Sequence, residues 1–168
     1  MPPTELISVI ANLALALSFV VGLIFGIAQV RAAARDRRER LTLEALRNFQ
    51  TREFTELMHY VSYRDLPTGA EQWRAQPVAD QVILTQFAQE MEHLGILVAE
   101  GYIDLDLVDK TLGSLVTTAW GKYKVTILDL RVKLPDPFLA EYFQWLAERI
   151  DERMKNHPRK PFYLKGEV

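Results

Sequence analysis

The feature that most limits how this chain can fold is an uncharged, mostly apolar segment from Leu6 to Val30. As a helix rising about 1.5 Å per residue, this segment would be about 37 Å long. The hydrocarbon core of a bilayer is about 30 Å thick, so such a helix can cross it with some tilt. Helices of soluble proteins rarely stay apolar on every face for this length. The segment therefore predicts one transmembrane helix over residues 6–30.

The charges that flank this segment predict its orientation. Residues 1–5 carry only Glu5, whereas five arginines follow within residues 31–40. Under the positive-inside rule, the short N-terminus lies outside and the rest of the chain lies in the cytoplasm. We interpret these arginines as a topology signal at the lipid headgroups, with a specific anionic-lipid site as the alternative. They are Arg31, Arg35, Arg37, Arg38 and Arg40.

The same segment is a poor match to a cleavable signal peptide. Such a peptide has basic residues before a shorter apolar run and a small-residue cleavage site after it. Here no basic residue precedes Leu6, and the alanines after the run lie inside the arginine cluster. We therefore expect a permanent anchor in a bacterial inner membrane.

Charge in the remainder of the chain is uneven. Residues 41–154 hold 11 basic and 18 acidic residues, a balance of −7, whereas residues 155–168 carry +3. An acidic surface repels a phosphate backbone, so no nucleic acid is expected as a partner. The chain has no cysteine, which excludes disulfides, thiolate metal sites and cysteine nucleophiles.

Helical periodicity predicts an all-α domain of about four helices over residues 41–155, followed by an extended tail over residues 156–168. Because the basic segment 31–40 lacks Gly and Pro, we expect the membrane helix to continue unbroken into this domain. One apolar stripe extends that helix to about Tyr63. The stripe consists of Leu43, Leu46, Phe54, Leu57, Met58 and Val61.

Local signals predict the helix ends after this point. Thr68 and Glu71 have the spacing of a capping box, and Pro77 suits the first turn of the next helix. Gly101 is predicted to stop that helix, and Asp104 to cap the following one. The expected inner face of the helix after Pro77 comprises Ile83, Phe87, Met91, Leu94 and Val98.

The last long helix is predicted to begin near residue 136. Asp136 is the expected N-cap, Pro137 the first helical residue and Phe138 the first member of the apolar stripe. A strand over residues 123–132 is the alternative for the preceding element. We prefer a helix there, because a lone strand has no partner for its hydrogen bonds.

Two Glu-x-x-His motifs, at residues 56–59 and 90–93, raise the question of a carboxylate-bridged metal site. Helical geometry directs Glu56 and His59 away from the buried stripe, so we expect no metal and no other cofactor. Glu90 is expected instead as a carboxylate at the edge of the core, paired with an Arg, Trp or Tyr donor. Asp104, Asp106 and Asp109 could bind a cation, but their position favours capping and the helix dipole.

Small residues recur every four positions through the apolar segment. They are Ala14, Ser18, Gly22 and Gly26. This pattern allows close packing of transmembrane helices and predicts a homo-oligomer, although glycine is common in such helices anyway. No phosphate loop, nucleophile elbow or zinc-protease motif occurs in the sequence, and no catalytic residue is assigned.

The stretch from Phe87 through Glu90, Leu94 and Gly101 to Val108 resembles a bacterial family known only as a domain of unknown function. Trp120 and the stretch at residues 136–146 are similar to its closing part, so the resemblance covers about residues 40–150. Members of this family often join one N-terminal membrane helix to such a helical domain. The resemblance implies this architecture and no activity.

Three functions are compatible with the sequence. The leading hypothesis is a single-pass, membrane-anchored interaction and oligomerisation module without catalytic activity, with membrane lipids, a second copy and a protein from the same operon as partners. The first alternative is a signal-gated membrane effector or pore in a stress or phage-defence system. The second alternative is a metal-dependent enzyme built on Glu90 and His93.

Overall fold

The computed structural model describes residues 3–164, with side chains from residue 7 onward, and this part of the chain contains no β-strand. The all-α prediction is confirmed, including a helix through residues 123–132. The chain divides into two units, Met1–Arg40 and Leu41–Val168. The helices are α1 (Pro3–Asn48), α2 (Arg52–Tyr63), α3 (Ala70–Ala75), α4 (Val78–Ala99), α5 (Leu105–Lys133) and α6 (Glu141–Asn156), followed by a 3₁₀ helix at Phe162–Leu164.

The first unit is a single long helix, the part of α1 that ends at Arg40. All its side chains from residue 7 to residue 40 are exposed. An 18-residue window of α1 reaches a mean hydropathy of 2.4. The helix is long and apolar enough to cross a membrane, a property that it shares with signal sequences. Because α1 begins at Pro3, it includes residues 3–5 of the predicted external N-terminus, and residues 1–2 lie outside the described part of the chain.

The prediction that the first helix continues to Tyr63 is wrong, because α1 ends at Asn48 and α2 begins at Arg52. Thr51 breaks the helix: its hydroxyl donates to the Asn48 carbonyl at 2.9 Å and accepts from the Phe54 amide at 3.2 Å. Threonine competes with the helical backbone for such bonds and is a favourable N-cap. The predicted apolar stripe is therefore divided between two helices, and of its members Leu43 is exposed and Met58 only half-buried.

The core of the second unit lies between α6 and the pair α4 and α5, with α2 packed on α4 and α3 packed on α5. Most of the predicted inner face of α4 is buried, although Ile83 is only half-buried and Leu84, which was not predicted, is fully buried. Aromatic contacts, with ring centroids 4.8–6.0 Å apart, connect α2, α4, α5 and α6. Their members are Phe49, Phe54, Phe87, Tyr123, Phe143 and Trp120.

The C-terminus of α4 and the N-terminus of α5 lie where the sequence predicts them. Gly101 adopts a φ of 71°, in the left-handed region that glycine enters at little cost, and α4 ends two residues before it. The Asp104 carboxylate accepts from the amides of Asp106 and Leu107 at 2.8 and 3.2 Å, so it caps α5 as predicted. The Asp104 amide in turn donates to the buried Thr42 hydroxyl at 3.1 Å.

The predicted capping box at Thr68 is wrong. The Thr68 amide and hydroxyl both donate to the side-chain oxygen of Gln72, at 2.9 and 3.0 Å, and not to Glu71. The first amide of α3, that of Ala70, donates instead to Asp129 of α5 at 2.7 Å. The cap of this short helix therefore comes from another helix.

The predicted start of the last helix is also wrong. Asp136 accepts from the Phe138 amide at 3.0 Å and forms a local turn, while α6 begins only at Glu141. Phe138, expected in the buried stripe, is 68% exposed. Ala140, with a φ of 56°, separates the turn from the helix. After α6, residues 157–161 have no regular structure, and residues 165–168 of the predicted tail lie outside the described part of the chain.

Candidate functional site

One face of α5 holds the loop that joins α2 to α3. Lys122 Nζ donates to three backbone carbonyls, those of Val61, Ser62 and Arg64, at 2.8, 2.7 and 3.2 Å. The Thr126 hydroxyl, one helical turn later, donates to the Pro67 carbonyl. This polar face therefore satisfies backbone groups that the ends of short helices leave unpaired.

Asp129, the third member of this face, holds the start of α3. The hydrogen bond from the Ala70 amide, and then the one from Lys133, lower the pKa of the Asp129 carboxyl. Lys133 Nζ lies 3.1 Å from Asp129 Oδ2. The carboxylate is therefore anionic at the positive end of α3, where the helix dipole favours it.

Glu92 of α4 caps α6. Its carboxylate accepts from the amides of Tyr142 and Phe143, at 3.2 and 2.7 Å, which are the second and third residues of α6. These are the two amides that an N-cap side chain normally satisfies, and the Ala140 methyl group cannot accept a hydrogen bond from them. Gly95, one turn later on α4, allows the two helices to approach: a Cβ there would lie 2.3 Å from the Tyr142 carbonyl oxygen.

The delayed start of α6 leaves a groove of about 430 Å³ within the second unit. Residues 134–140 form one wall of this groove, and α3, α4 and α5 form the others. Its lining is mainly apolar, with Thr85, Gln89 and Glu92 as polar members. The apolar lining residues are Trp73, Ala88, Ile127, Leu130, Leu134, Phe138, Leu139 and Ala140, together with the ring of Tyr123.

The charged and phenolic groups of the groove are already bonded within the domain. Both carboxylate oxygens of Glu92 accept from α6, and the Tyr123 hydroxyl donates to the Leu84 carbonyl at 2.9 Å. Burial raises the pKa of Tyr123, so its hydroxyl stays neutral. The groove therefore offers mainly apolar contact, as small-molecule sites generally do. Among its described lining residues, no general acid lies beside a general base.

The small residues of the predicted packing face all lie exposed on α1, at positions 14, 18, 22 and 26. A Cβ built on Gly22 or Gly26 meets no other atom within 4 Å. Their side of the helix is therefore open to a second helix, and their role in packing stays a prediction. The five arginines of residues 31–40 are likewise exposed on α1.

Glu90 lies half-buried on α4, and no hydrogen bond or ion pair joins its carboxylate to another residue of the described chain. The Arg, Trp or Tyr donor predicted for it is not found there. Glu92, two residues later and also half-buried, is the α4 carboxylate that accepts hydrogen bonds, from the Tyr142 and Phe143 amides. Glu56, His59 and His93 are exposed, and no group of three or more His, Cys, Asp or Glu residues among those described could hold a metal ion.

The aspartates at the start of α5 have cationic neighbours. Arg153 of α6 donates to Asp106 at 2.9 Å and lies 4.0 Å from the buried Asp109. The hydrogen bond from Lys110, and further positive charge around it, lower the pKa of Asp106. The third aspartate, Asp104, is engaged as the cap of α5. Protein cations and backbone amides thus pair with the three carboxylates at the start of α5.

A family model described as Domain of unknown function (DUF4760) matches residues 16–150. This match confirms the resemblance seen in the sequence and extends it into the apolar part of α1. Neither a curated protein nor a solved structure matches the chain.

Proposed function

Because the chain belongs to the family described as Domain of unknown function (DUF4760), we propose its function from its own residues: a single-pass, membrane-anchored helical module that self-associates, without catalytic activity. The observation that carries this proposal is the apolar part of α1, in which every side chain from residue 7 to residue 30 is exposed. Such a surface is unfavourable in water and favourable in lipid.

The arginines that follow the apolar run support an orientation with the helical domain in the cytoplasm of a bacterial cell. The chain would then be an inner-membrane protein. Carbonate extraction and protease protection of C-terminally tagged protein test this arrangement. The intact mass of the purified chain separates an anchor from a signal sequence, because removal of the first 30 or so residues would show cleavage. Cleavage, or recovery in the soluble fraction, would overturn the proposal.

Self-association is proposed along the face that carries Gly22 and Gly26, since their exposed backbone permits close helix approach. The test is native mass spectrometry of full-length protein in detergent. Gly22→Leu combined with Gly26→Leu should convert oligomer to monomer, whereas Val20→Phe, an enlargement on the opposite side of α1, should not. An unchanged oligomer in the double variant, or a monomeric parent protein, would count against this face.

Recruitment of a protein from the same operon is the second part of the proposal. Its support is the compact helical domain, whose described surface shows no catalytic pair but exposes apolar residues on α4 and α5, such as Val82 and Val132. Affinity purification of the full-length chain with the neighbouring gene products co-expressed tests it. Absence of a stoichiometric complex would contradict recruitment and leave self-association to be judged separately.

A signal-gated membrane effector is the second candidate, and one observation favours it. α1 runs without a break from Pro3 to Asn48, and its last turns bury Thr42 and Leu46 within the second unit. A change in that unit would thus act on a helix that also contains the apolar segment. Recording the membrane potential of cells that express the protein, with and without phage or stress, tests this function. Unchanged polarisation under all conditions would remove it.

A further inference from the structure

The end of the chain combines exposed aromatic side chains with positive charge. Five residues, 157–161, separate α6 from the 3₁₀ helix Phe162–Leu164, in which the Leu164 amide donates to the Pro161 carbonyl at 3.0 Å. Phe162, Tyr163 and Leu164 are 81%, 85% and 63% exposed. Exposed apolar side chains that lie together are a feature of surfaces that contact a partner or a membrane.

The charge of this region is opposite to that of the domain. Arg159 and Lys160 directly precede Pro161 and the aromatic residues, and residues 155–168 together carry +3 against −7 for residues 41–154. Both residues are exposed, although Arg159 also donates weakly to the Asp109 carbonyl at 3.5 Å. Apolar side chains beside basic ones are also found on α1, where the apolar run adjoins the five arginines.

We propose that residues 159–164, the basic-aromatic segment, dock on an anionic phospholipid surface. Arg159 and Lys160 bind the headgroups, while Tyr163 and Leu164 enter the interface, where amphipathic aromatic rings are favoured. The inference rests on the proposed anchor, which keeps the segment at a high effective concentration near lipid. The positive charge of Arg159 and Lys160 favours an anionic lipid surface over the apolar groove of the domain. The acidic residue of that groove, Glu92, is already hydrogen-bonded to α6.

A single fluorescent label can test the docking, because the chain has no cysteine. The variant Tyr163→Cys carries the label, and the full-length protein is placed in nanodiscs of phosphatidylcholine, with or without phosphatidylglycerol. We expect the anionic lipid to protect the label from iodide quenching. Each basic residue near an anionic surface strengthens binding about fivefold, so Arg159→Gln with Lys160→Gln should lower the ratio of docked to free segment about 25-fold.

Two controls separate this result from other causes. Arg52→Gln with Lys124→Gln removes the same charge from exposed positions elsewhere in the domain and should leave the protection unchanged. A second labelled variant, Val20→Cys, reports on the anchor.

The two labels give distinguishable outcomes. If iodide reaches the label at position 163 in anionic discs while the label at position 20 is protected, the docking alone is overturned. Exposure of both labels overturns the docking together with the anchor. Equal protection of the label at position 163 in both lipids also overturns the docking, in favour of contact with a second copy.

Discussion

Replacing Glu92 with alanine should uncap α6 and destabilise the domain. The substitution leaves the amides of Tyr142 and Phe143, now at 3.2 and 2.7 Å from the carboxylate, without their acceptor. Loss of an N-cap costs about 1 kcal/mol, and hydrogen bonds to a charged group contribute about 1.5–3 kcal/mol. Because Glu92 is only half-buried, water would replace part of the loss, and we expect the free energy of unfolding to fall by about 2 kcal/mol.

Equilibrium unfolding of the full-length chain in detergent can measure this change by tryptophan fluorescence, since Trp120 packs against Phe143 of α6 at 5.2 Å between ring centroids. Hydrogen exchange gives a local reading: the amides of residues 142 and 143 should exchange about thirtyfold faster. Glu90→Ala is the matched control, on the same helix and half-buried, and should change stability by less than about 0.5 kcal/mol. Equal effects of the two substitutions would refute the capping role of Glu92.

Three further perturbations test the contacts around this site. Gly95→Ala should destabilise the domain by about 2 kcal/mol, because the added Cβ would overlap a backbone carbonyl of α6. Gly121→Ala, on α5 where a Cβ meets no other atom, should instead stabilise the domain by about 0.5–1 kcal/mol. Thermal unfolding of both variants measures the difference. Lys122→Met should lower the free energy of unfolding in urea by about 1.5–3 kcal/mol, since three carbonyls at the end of α2 lose their donor, and an unchanged midpoint would contradict this. The pKa of Asp129 is lower in the folded than in the unfolded chain, so its contribution to the free energy of unfolding is present above about pH 4 and is lost as the pH falls through the folded-state pKa. Asp129→Asn should therefore flatten the acid side of a plot of melting temperature against pH. An unaltered slope would exclude this role.

The sequence predicted those parts of the fold whose cause is local. Gly101 and Asp104 act on the residues beside them, so the turn between α4 and α5 followed from residue type alone. The apolar periodicity of α4 likewise predicted which side of the helix is buried, because four of the five residues named for that side are buried. Family membership was also evident from such patterns.

The predicted helix starts were wrong where the capping side chain comes from another helix. Nothing near residue 140 identifies it as a helix start, since Glu92 lies 50 positions before Tyr142 and 51 before Phe143. One signal was available on α5: Lys122, Thr126 and Asp129 place polar side chains on one face at spacings of four and three. Where such polar side chains border the core and water is excluded, they need hydrogen-bond partners within the protein, and backbone groups are common ones.

The residue at which α6 begins affects one wall of the groove. Asp136 and Pro137 form a good local helix start, yet Asp136 closes only a turn, and the helix begins where Glu92 supplies the cap. If α6 began at Pro137, residues 137–140 would be helical and their backbone could not follow the path by which it now forms a wall of the groove. The carboxylate that stabilises α6 therefore also contributes to the shape of the groove, together with Arg131 of α5, whose Nε donates to the Leu139 carbonyl at 2.9 Å. We expect the groove to be reshaped in Glu92→Ala even where the domain stays folded.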